Sequence, residues 1–212
     1  NNKFIIEELQ KKFEGFNSLN IVGKGDTAKN LKSEYNTIGI NQSLIFTNRE
    51  FLFMNDFESL FGIEDLISNI WYLFLPYYPH VNCGKQVVKF TEFLEFLKIY
   101  NFKGKLFIYQ LNTSKEKGKL KDYNLHELDT TLTCILFFKK YLPFIKKFNL
   151  YGCYKSNYYH NDLLKLNIEL NKDNKYGSYI KNYNEIFERA KTLGRQSYEK
   201  RLKELKVDYV LH

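Results

Sequence analysis

Short apolar segments of strand length alternate with segments of helical periodicity through most of this chain, and that alternation limits the folds open to it. Six strands are predicted, over residues 18–22, 37–40, 50–54, 70–75, 105–110 and 147–151. Strands that alternate with helices form a mostly parallel sheet with helices on both faces. We therefore predict an α/β fold, a single Rossmann-like domain with a mostly parallel sheet flanked by helices.

The helical segments indicate how the domain is organised. Helices are predicted over 4–13, 26–33, 85–100 and 128–144, and a lysine-rich loop over 115–121. Residues 1–154 are predicted to form the Rossmann-like domain with its leading helix. Residues 155–212, rich in Tyr, Asn and Lys, are predicted to form a C-terminal helical lid or cap of the same domain, most helical over 179–205. A length of 212 residues fits one domain.

The net charge of +8 comes mostly from scattered lysines, without an Arg-rich tract suited to binding bases. We therefore expect no nucleic-acid partner. The lysines either cover solvated faces or attract an anion, such as a nucleotide phosphate, an acidic glycan or a lipid headgroup. The sequence contains no run of about 18 apolar residues, so we predict no membrane span. Peripheral membrane contact through the basic surface stays an alternative.

Three cysteines, Cys83, Cys134 and Cys153, stand at unrelated spacings. Their odd number fits neither a disulfide framework nor a zinc site. Reduced, buried thiols are the simplest interpretation, and they favour a cytoplasmic location.

The residues that follow the predicted strands are the first candidates for a site, because ligands of open parallel sheets bind beyond the carboxyl ends of the strands. These residues are Gly23, Lys24, Gly25, Asn41, Gln42, Asn55, Asp56, Cys153, Tyr154, Tyr158, Tyr159 and His160, joined by Thr130 and Thr131 at the start of a helix. Glycines after a strand bring backbone N–H groups close to a phosphate. They also occur in any tight turn between a strand and a helix.

The glycine turn departs from a dinucleotide site. The sequence fingerprint of dinucleotide-binding sites has a third glycine and an acidic residue on the second strand that binds the ribose. Both are missing here, which argues against an NAD site. The sequence contains no His-x-x-x-His, Cys-x-x-Cys or Asp-x-Asp motif, and we predict neither a metal nor a cofactor. Phosphate chemistry would then depend on hydroxyl groups and backbone dipoles.

In their order along the chain, five short runs resemble sialyltransferases. Residues 21–31, 39–42 and 53–56 are similar to the nucleotide-binding half of the small bacterial enzymes, and residues 130–138 with 149–152 are similar to the second motif of the Golgi enzymes. The resemblance implies a variant Rossmann fold that binds CMP-sialic acid without metal. It makes residues 1–154 a nucleotide-sugar-binding domain, and it implies a glycan or glycolipid acceptor.

The resemblance also implies roles for individual residues. The donor would be bound by Gly23, Lys24, Gly25, Asn41, Gln42, Asn55, Asp56, Thr130 and Thr131. Tyr154 and either Tyr158 or Tyr159 would neutralise the leaving phosphate in place of a metal, and His160 would be the general base. An imidazole can accept a proton from an acceptor hydroxyl near neutral pH. His80 and His126 are weaker candidates for that base.

The family pattern has Asn between the two glycines and Pro-Ser after them. In this chain Lys24 and Asp26 stand at two of those positions. Lys24 can pair with a phosphate. Asp26 would repel a phosphate unless its carboxylate turns away to cap the following helix. Thr131-Leu132 likewise replaces the Ser/Thr-Gly pair that opens the second motif.

Three hypotheses follow for the function. The first is a glycosyltransferase of sialyltransferase type. The second is a catalytically inactive Rossmann-like module that binds a nucleotide or a protein. The third is a nucleotide-sugar or pterin phosphotransfer enzyme, which would need a pair of carboxylates for Mg²⁺. The test between the first two is whether the tyrosines and His160 converge with Gly25, Asn41 and Asn55 on one cleft.

Overall fold

The computed structural model describes residues 1–32, 35–48, 50–60, 62–77, 90–111, 123–125, 129–154, 159–172 and 198–212. The α-helices are α1 (Asn2–Lys12), α2 (Phe90–Ile99), α3 (Thr130–Tyr141) and α4 (Asn161–Lys172). The strands are β1 (Ser18–Val22), β2 (Thr37–Ile40), β3 (Phe51–Phe53), β4 (Tyr72–Pro76), β5 (Lys105–Leu111), β6 (Asn124–Leu125), β7 (Lys147–Tyr151) and β8 (Asp208–Leu211). Short 3₁₀ helices span Asp26–Asn30, Asn41–Ile45, Phe57–Leu60 and Glu64–Asn69.

The strands form one sheet in the order β6-β5-β4-β3-β2-β1-β7-β8. Every neighbouring pair is parallel. The predicted α/β fold is therefore confirmed. The chain builds one half of the sheet outward from β1 to β6, then returns to place β7 on the other side of β1.

Two apolar cores cover the faces of the sheet, because successive side chains of a strand point to opposite faces. In β3, Phe51 and Phe53 belong to the core under α1 and α3, whereas Leu52 belongs to the core under α2 and three of the 3₁₀ helices. The first core contains many aromatic rings, with Phe74 and Phe137 at 5.0 Å between centroids. Strands buried on both faces explain the continuous apolar runs in the sequence.

The structure differs from the sequence prediction in several elements. The segment after β1 is a 3₁₀ helix that ends at Asn30, where Leu31 takes an extended conformation, and not an α-helix reaching residue 33. Strands β6 and β8 were not predicted. β8 pairs with β7, so the chain after residue 154 contributes an edge strand as well as α4 and the helical residues 198–204.

Some predictions lie outside the described residues. These are the loop over 115–121, the helical residues 179–197, Cys83, His80, His126 and Tyr158. Within the part of the chain that the structure describes, no helix combines the length and the apolar character needed to cross a membrane.

Candidate functional site

The carboxyl ends of β1 and β7 lie side by side, with β7 second and β1 third from the β8 edge of the sheet. Val22 is paired to Tyr151. From this point the chain after β1 continues toward β2, and the chain after β7 continues toward β8 on the opposite side. Such a reversal of strand order opens the crevice in which parallel α/β sheets bind ligands. The glycine turn, residues 23–25, and the turn at residues 152–154 meet there.

The two turns are bonded to each other. Gly23 N donates to Tyr151 O and Gly25 N donates to Gly152 O, both at 2.8 Å. Gly152 N donates in return to Thr27 Oγ1 at 2.9 Å. The Gly25 amide, which the sequence placed toward a phosphate, therefore has a partner within the chain.

Glycine is required on both sides of this contact. A Cβ at Gly23 would lie 2.6 Å from Gly152 O and 2.8 Å from Cys153 Sγ. Gly152 has a φ of +62°, and a Cβ there would lie 2.8 Å from Gly23 O. Close approach of two backbones, which only glycine permits, holds the turns together.

Tyr159 and His160 lie against the same glycine turn. Tyr159 forms an antiparallel bridge with Gly25. His160 N donates to Lys24 O at 2.8 Å. The Lys24 ammonium lies 5.4 Å from the centroid of the Tyr159 ring, within the range of a cation–π contact. Two predicted catalytic residues thus converge on the predicted donor-binding turn.

His160 has a defined structural setting. Its carbonyl accepts from Leu163 N and Leu164 N, so His160 is the N-cap residue of α4. Its ring stacks on Phe46 at 4.1 Å, and its side chain is 17% exposed. Asp162 N donates to His160 Nδ1 at 3.3 Å, which corresponds to the tautomer with its proton on Nε2.

Asn41 and Gln42 open the 3₁₀ helix that follows β2. Asn41 has a φ of +55° and is 8% exposed, and its Oδ1 is buried with no hydrogen-bond partner among the described residues. Gln42 is buried. This 3₁₀ helix packs against α4, and its Ile45 contacts Tyr159 and Leu163. Asn41 thus belongs to the same group of elements as His160, and its Oδ1 is an acceptor available to a ligand.

Asp26 also has an unpartnered acceptor. The N-cap position of this 3₁₀ helix is Gly25 and Asp26 is its first residue, so Asp26 does not occupy the predicted cap position. Asp26 Oδ1 is buried and has no hydrogen-bond partner in the described part of the chain. A buried acceptor without a partner costs about 1–3 kcal/mol, which a ligand donor would relieve.

Asn55 belongs to a different set of contacts. Its Nδ2 donates to Thr133 Oγ1 at 3.2 Å, and Tyr109 Oη lies 2.5 Å from its Oδ1. Thr133 Oγ1 donates to Asp129 O at 2.8 Å, and the Tyr154 hydroxyl donates to the Asp129 carboxylate. We call these five residues the carboxyl-edge network. It joins the ends of β3, β5 and β7 to the start of α3.

Asp129 occupies the N-terminus of α3. Its Oδ1 accepts from Thr131 N at 2.9 Å and from Leu132 N at 3.0 Å. Thr130 and Thr131 are buried, and Thr131 Oγ1 lies 3.9 Å from Cys153 Sγ. Two backbone N–H groups at this helix start are therefore directed to a carboxylate of the chain itself.

The buried hydroxyl and thiol groups here stay protonated. Burial, followed by the charge of Asp129, raises the pKa of the Tyr154 phenol well above its usual value. Burial likewise raises the pKa of the Tyr109 phenol, with a smaller contribution from Asp56. Burial also raises the pKa of the Cys153 thiol to about 12. The phenols are hydrogen-bond donors, and Cys153 is a packing residue that lacks thiolate reactivity.

Sequence reasoning gave no role in the site to several residues that organise this edge. Asp129 directly precedes the predicted helix start, a position typical of an N-cap. Gly152 follows a predicted strand, as Gly23 does. Phe46, Tyr109 and Thr133 carry no local signal, because their roles depend on contacts with distant parts of the chain.

The structure brings together Gly23, Lys24, Gly25, Tyr159 and His160, with Asn41 and Gln42 on the adjoining 3₁₀ helix. Tyr154, Thr131 and Asn55 belong instead to the side of the edge near α3. Asp56 follows Asn55 beside Tyr109. Among the described residues, no group of three or more His, Cys, Asp or Glu side chains is arranged to hold a metal ion.

In comparisons with known proteins, this chain matches no family model, no curated protein and no solved structure.

Proposed function

We propose that this protein is a metal-independent, inverting glycosyltransferase of sialyltransferase type. It would transfer a sialic-acid-like sugar from a CMP donor to a glycan or glycolipid acceptor. Residues 1–154 would bind the nucleotide sugar. The proposal begins from the order of the sequence motifs, which resemble those of sialyltransferases.

The observation that carries the proposal is the contact of Tyr159 and His160 with the glycine turn. Tyr159 bridges Gly25, and His160 N donates to Lys24 O at 2.8 Å. More than 130 residues separate these partners in the sequence. They nevertheless meet at the point where strand order reverses, which is where parallel α/β sheets bind nucleotides.

Lys24 and the unpartnered acceptors provide complementary chemistry for a nucleotide. The Lys24 ammonium, held over the Tyr159 ring, supplies positive charge for the leaving phosphate where the family has an uncharged residue. Asn41 Oδ1 and Asp26 Oδ1 are buried acceptors suited to hydroxyl or amino groups of the donor. The preorganised positive charge of Lys24 would stabilise a departing phosphate without a metal, whereas the two acceptors would orient the donor.

His160 would act as the base through Nε2. That role requires the proton to move to Nδ1 and the hydrogen bond from Asp162 N to Nδ1 to break. Nδ1 lies 3.8 Å from Asp162 Oδ2. A proton on Nδ1 would face this carboxylate and leave Nε2 free to accept a proton from the acceptor hydroxyl. Asp162 would then be a positioning residue that selects the competent tautomer.

A catalytically inactive binding module is the second candidate, and it also has a specific observation in its favour. The groups expected to react are engaged in structural bonds: His160 caps α4, the Tyr154 hydroxyl donates to Asp129, and the Gly25 amide donates to Gly152. A module of this kind would bind a nucleotide or a protein and transfer nothing.

The first experiment measures thermal unfolding with millimolar CMP in the presence of EDTA. We expect CMP to raise the melting temperature, because a ligand that binds only the folded state stabilises it. UMP, AMP and GMP serve as comparison nucleotides. A clear shift with one of these and none with CMP would rule out the CMP-sugar donor.

The second experiment compares two variants, His160→Ala and His160→Asn. Asn is a good N-cap residue, so His160→Asn keeps the cap of α4 and removes the imidazole. If His160 is the base, both variants bind CMP but lose the release of CMP from CMP-sialic acid in the presence of lactose, by about 10²-fold or more. Wild-type protein that binds CMP and releases none would instead favour the inactive module.

A further inference from the structure

A second concave surface lies at the opposite, amino-terminal edge of the sheet. It is a groove of about 540 Å³ between the end of α1 and the segments that lead into β2 and β3. We call it the amino-edge groove, and its lining includes Lys12, Phe16, Tyr35, Asn48, Glu50 and Phe51. Its volume is in the range of small-ligand sites.

Tyr35 presents its ring to solvent from a fixed backbone. Its side chain is among the most exposed apolar groups described, at 79%. Its carbonyl accepts from Asn20 Nδ2 at 3.3 Å and from Thr37 Oγ1 at 3.2 Å. The next residue, Asn36, donates through Nδ2 to Ser18 O at 2.6 Å. The residue is thus exposed while its carbonyl is bonded to side chains of β1 and β2.

Trp71, the single tryptophan of the chain, has the same arrangement beside the groove. Its ring is 62% exposed. Its N donates to Glu50 O at 3.2 Å, and its O accepts from Lys105 N at 2.7 Å. Rigid, exposed aromatic residues of this kind are typical of binding sites, because they offer a large contact area at low entropic cost.

The charges between these two rings are paired. The Lys12 ammonium forms an ion pair with Glu50, and it lies 5.6 Å from the Phe51 ring centroid and 5.7 Å from that of Trp71. Asn36 and Asn48 add amide groups to the lining. The described lining of the groove therefore combines exposed aromatic faces with polar groups of both signs, and its cation and its anion are paired.

We propose that the amino-edge groove binds a neutral saccharide. The apolar C–H face of a sugar ring packs against an aromatic ring, and its hydroxyl groups both donate and accept hydrogen bonds, as the amides and the ion pair of the groove do. An anionic membrane or an acidic peptide would need unpaired positive charge, which Lys12 does not provide. This site is separate from the candidate nucleotide site, and the inference does not rest on the proposed transfer.

The test applies the 212-residue chain to an array of neutral mono- to tetrasaccharides and titrates the best one against the fluorescence of Trp71. We expect Tyr35→Ala and Trp71→Ala each to weaken array binding by about tenfold or more. Ile99→Ala is the matched control, because Ile99 is 74% exposed on α2 and outside the groove. It should bind as the wild type does.

Three outcomes would overturn the inference: no neutral saccharide binds, binding survives both aromatic substitutions, or His160→Asn removes binding while Tyr35→Ala leaves it intact. The last would assign the sugar to the carboxyl edge.

Vesicles of equal parts phosphatidylcholine and phosphatidylserine are tested in parallel. Binding to vesicles, lost in Tyr35→Ala, without binding to saccharides would also overturn it. CMP binding is measured on every variant, so failure of the proposed transferase function is distinguished from failure of this inference.

Discussion

At the carboxyl edge of the sheet, polar side chains are bonded to one another and some of them, such as Asn55 and Thr133, are buried, whereas at the amino edge aromatic side chains stand exposed. The carboxyl-edge network ties Tyr154 through Asp129 and Thr133 to Asn55. The amino-edge groove instead holds Tyr35 in solvent. We infer from this contrast that polar contacts stabilise the carboxyl edge, whereas the exposed aromatic surface at the amino edge is not needed for the stability of the fold.

The largest expected difference between the edges is in their glycines. Gly23→Ala should lower the free energy of unfolding by about 3 kcal/mol, because the new Cβ would meet backbone atoms that cannot move aside. Gly15→Ala is the control near the amino edge, where a φ of +86° strains the alanine but no atom lies within 4 Å. It should cost about 1 kcal/mol. Urea unfolding measures both, and equal losses would contradict the contrast.

The second effect concerns the N-cap of α3. Asp129→Ala removes the acceptor for Thr131 N and Leu132 N and also the acceptor of the half-buried Tyr154 hydroxyl. We expect a loss of about 2 kcal/mol from the missing cap and the unsatisfied hydroxyl.

Asp129→Asn is the matched control for this cap. Asn can still cap the helix, so this variant should lose less stability than Asp129→Ala. Melting temperatures that are the same for wild type and Asp129→Ala would show that the network does not stabilise this edge.

The third effect is a dependence of stability on alkaline pH. Burial raises the pKa of Cys153 from 9.0 to about 12, so the folded protein keeps a proton that the unfolded chain releases above pH 9. The contribution of this thiol to the free energy of unfolding is therefore complete below pH 9. It is lost as the pH rises toward 12, and the loss is about 1.4 kcal/mol at pH 10.

The buried tyrosines contribute in the same direction at higher pH, since the pKa of Tyr154 is also raised. Cys153→Ala should therefore lose less stability than the wild type between pH 8 and pH 10, measured by urea unfolding at each pH. Parallel losses in both proteins would assign the alkaline dependence to other groups.

The smallest effect is expected at the amino edge. Tyr35→Ala and Trp71→Ala should change the free energy of unfolding by less than about 0.5 kcal/mol, because exposed side chains away from packed contacts contribute little. Their effect should be on saccharide binding alone. A loss of 2 kcal/mol or more in either variant would mean that its ring supports the fold, and the contrast between the edges would fail.

The fold was predictable from local patterns, and its exceptions have physical causes. The strands from 18–22 to 147–151 are continuous apolar runs because both faces of the sheet are covered. Strand β6 has two residues and β8 is partly exposed, so neither carries the apolar run that identifies a strand. These two segments are strands because they pair with β5 and β7, and this pairing is a tertiary contact that local sequence does not indicate.

The candidate site was predictable in part. Gly23 and His160 could be selected because each stands near a strand end, and the structure brings them to one turn. The partners of Asn55 and Tyr154 could not be selected, since a hydrogen bond links two residues that the sequence separates. Tyr158 lies outside the described residues, so its role stays a prediction.

The sequence by itself determined a layered α/β sheet with polar residues at the carboxyl ends of its strands, because hydrophobic periodicity and glycine conformations are local properties of the chain. Only the tertiary structure decided that the Gly25 amide bonds to Gly152, that Asp129 caps α3 and holds Tyr154, and that His160 caps α4 beside Lys24. The physical reason is that strand order brings distant segments together, and each donor then bonds to the acceptor that packing places within reach.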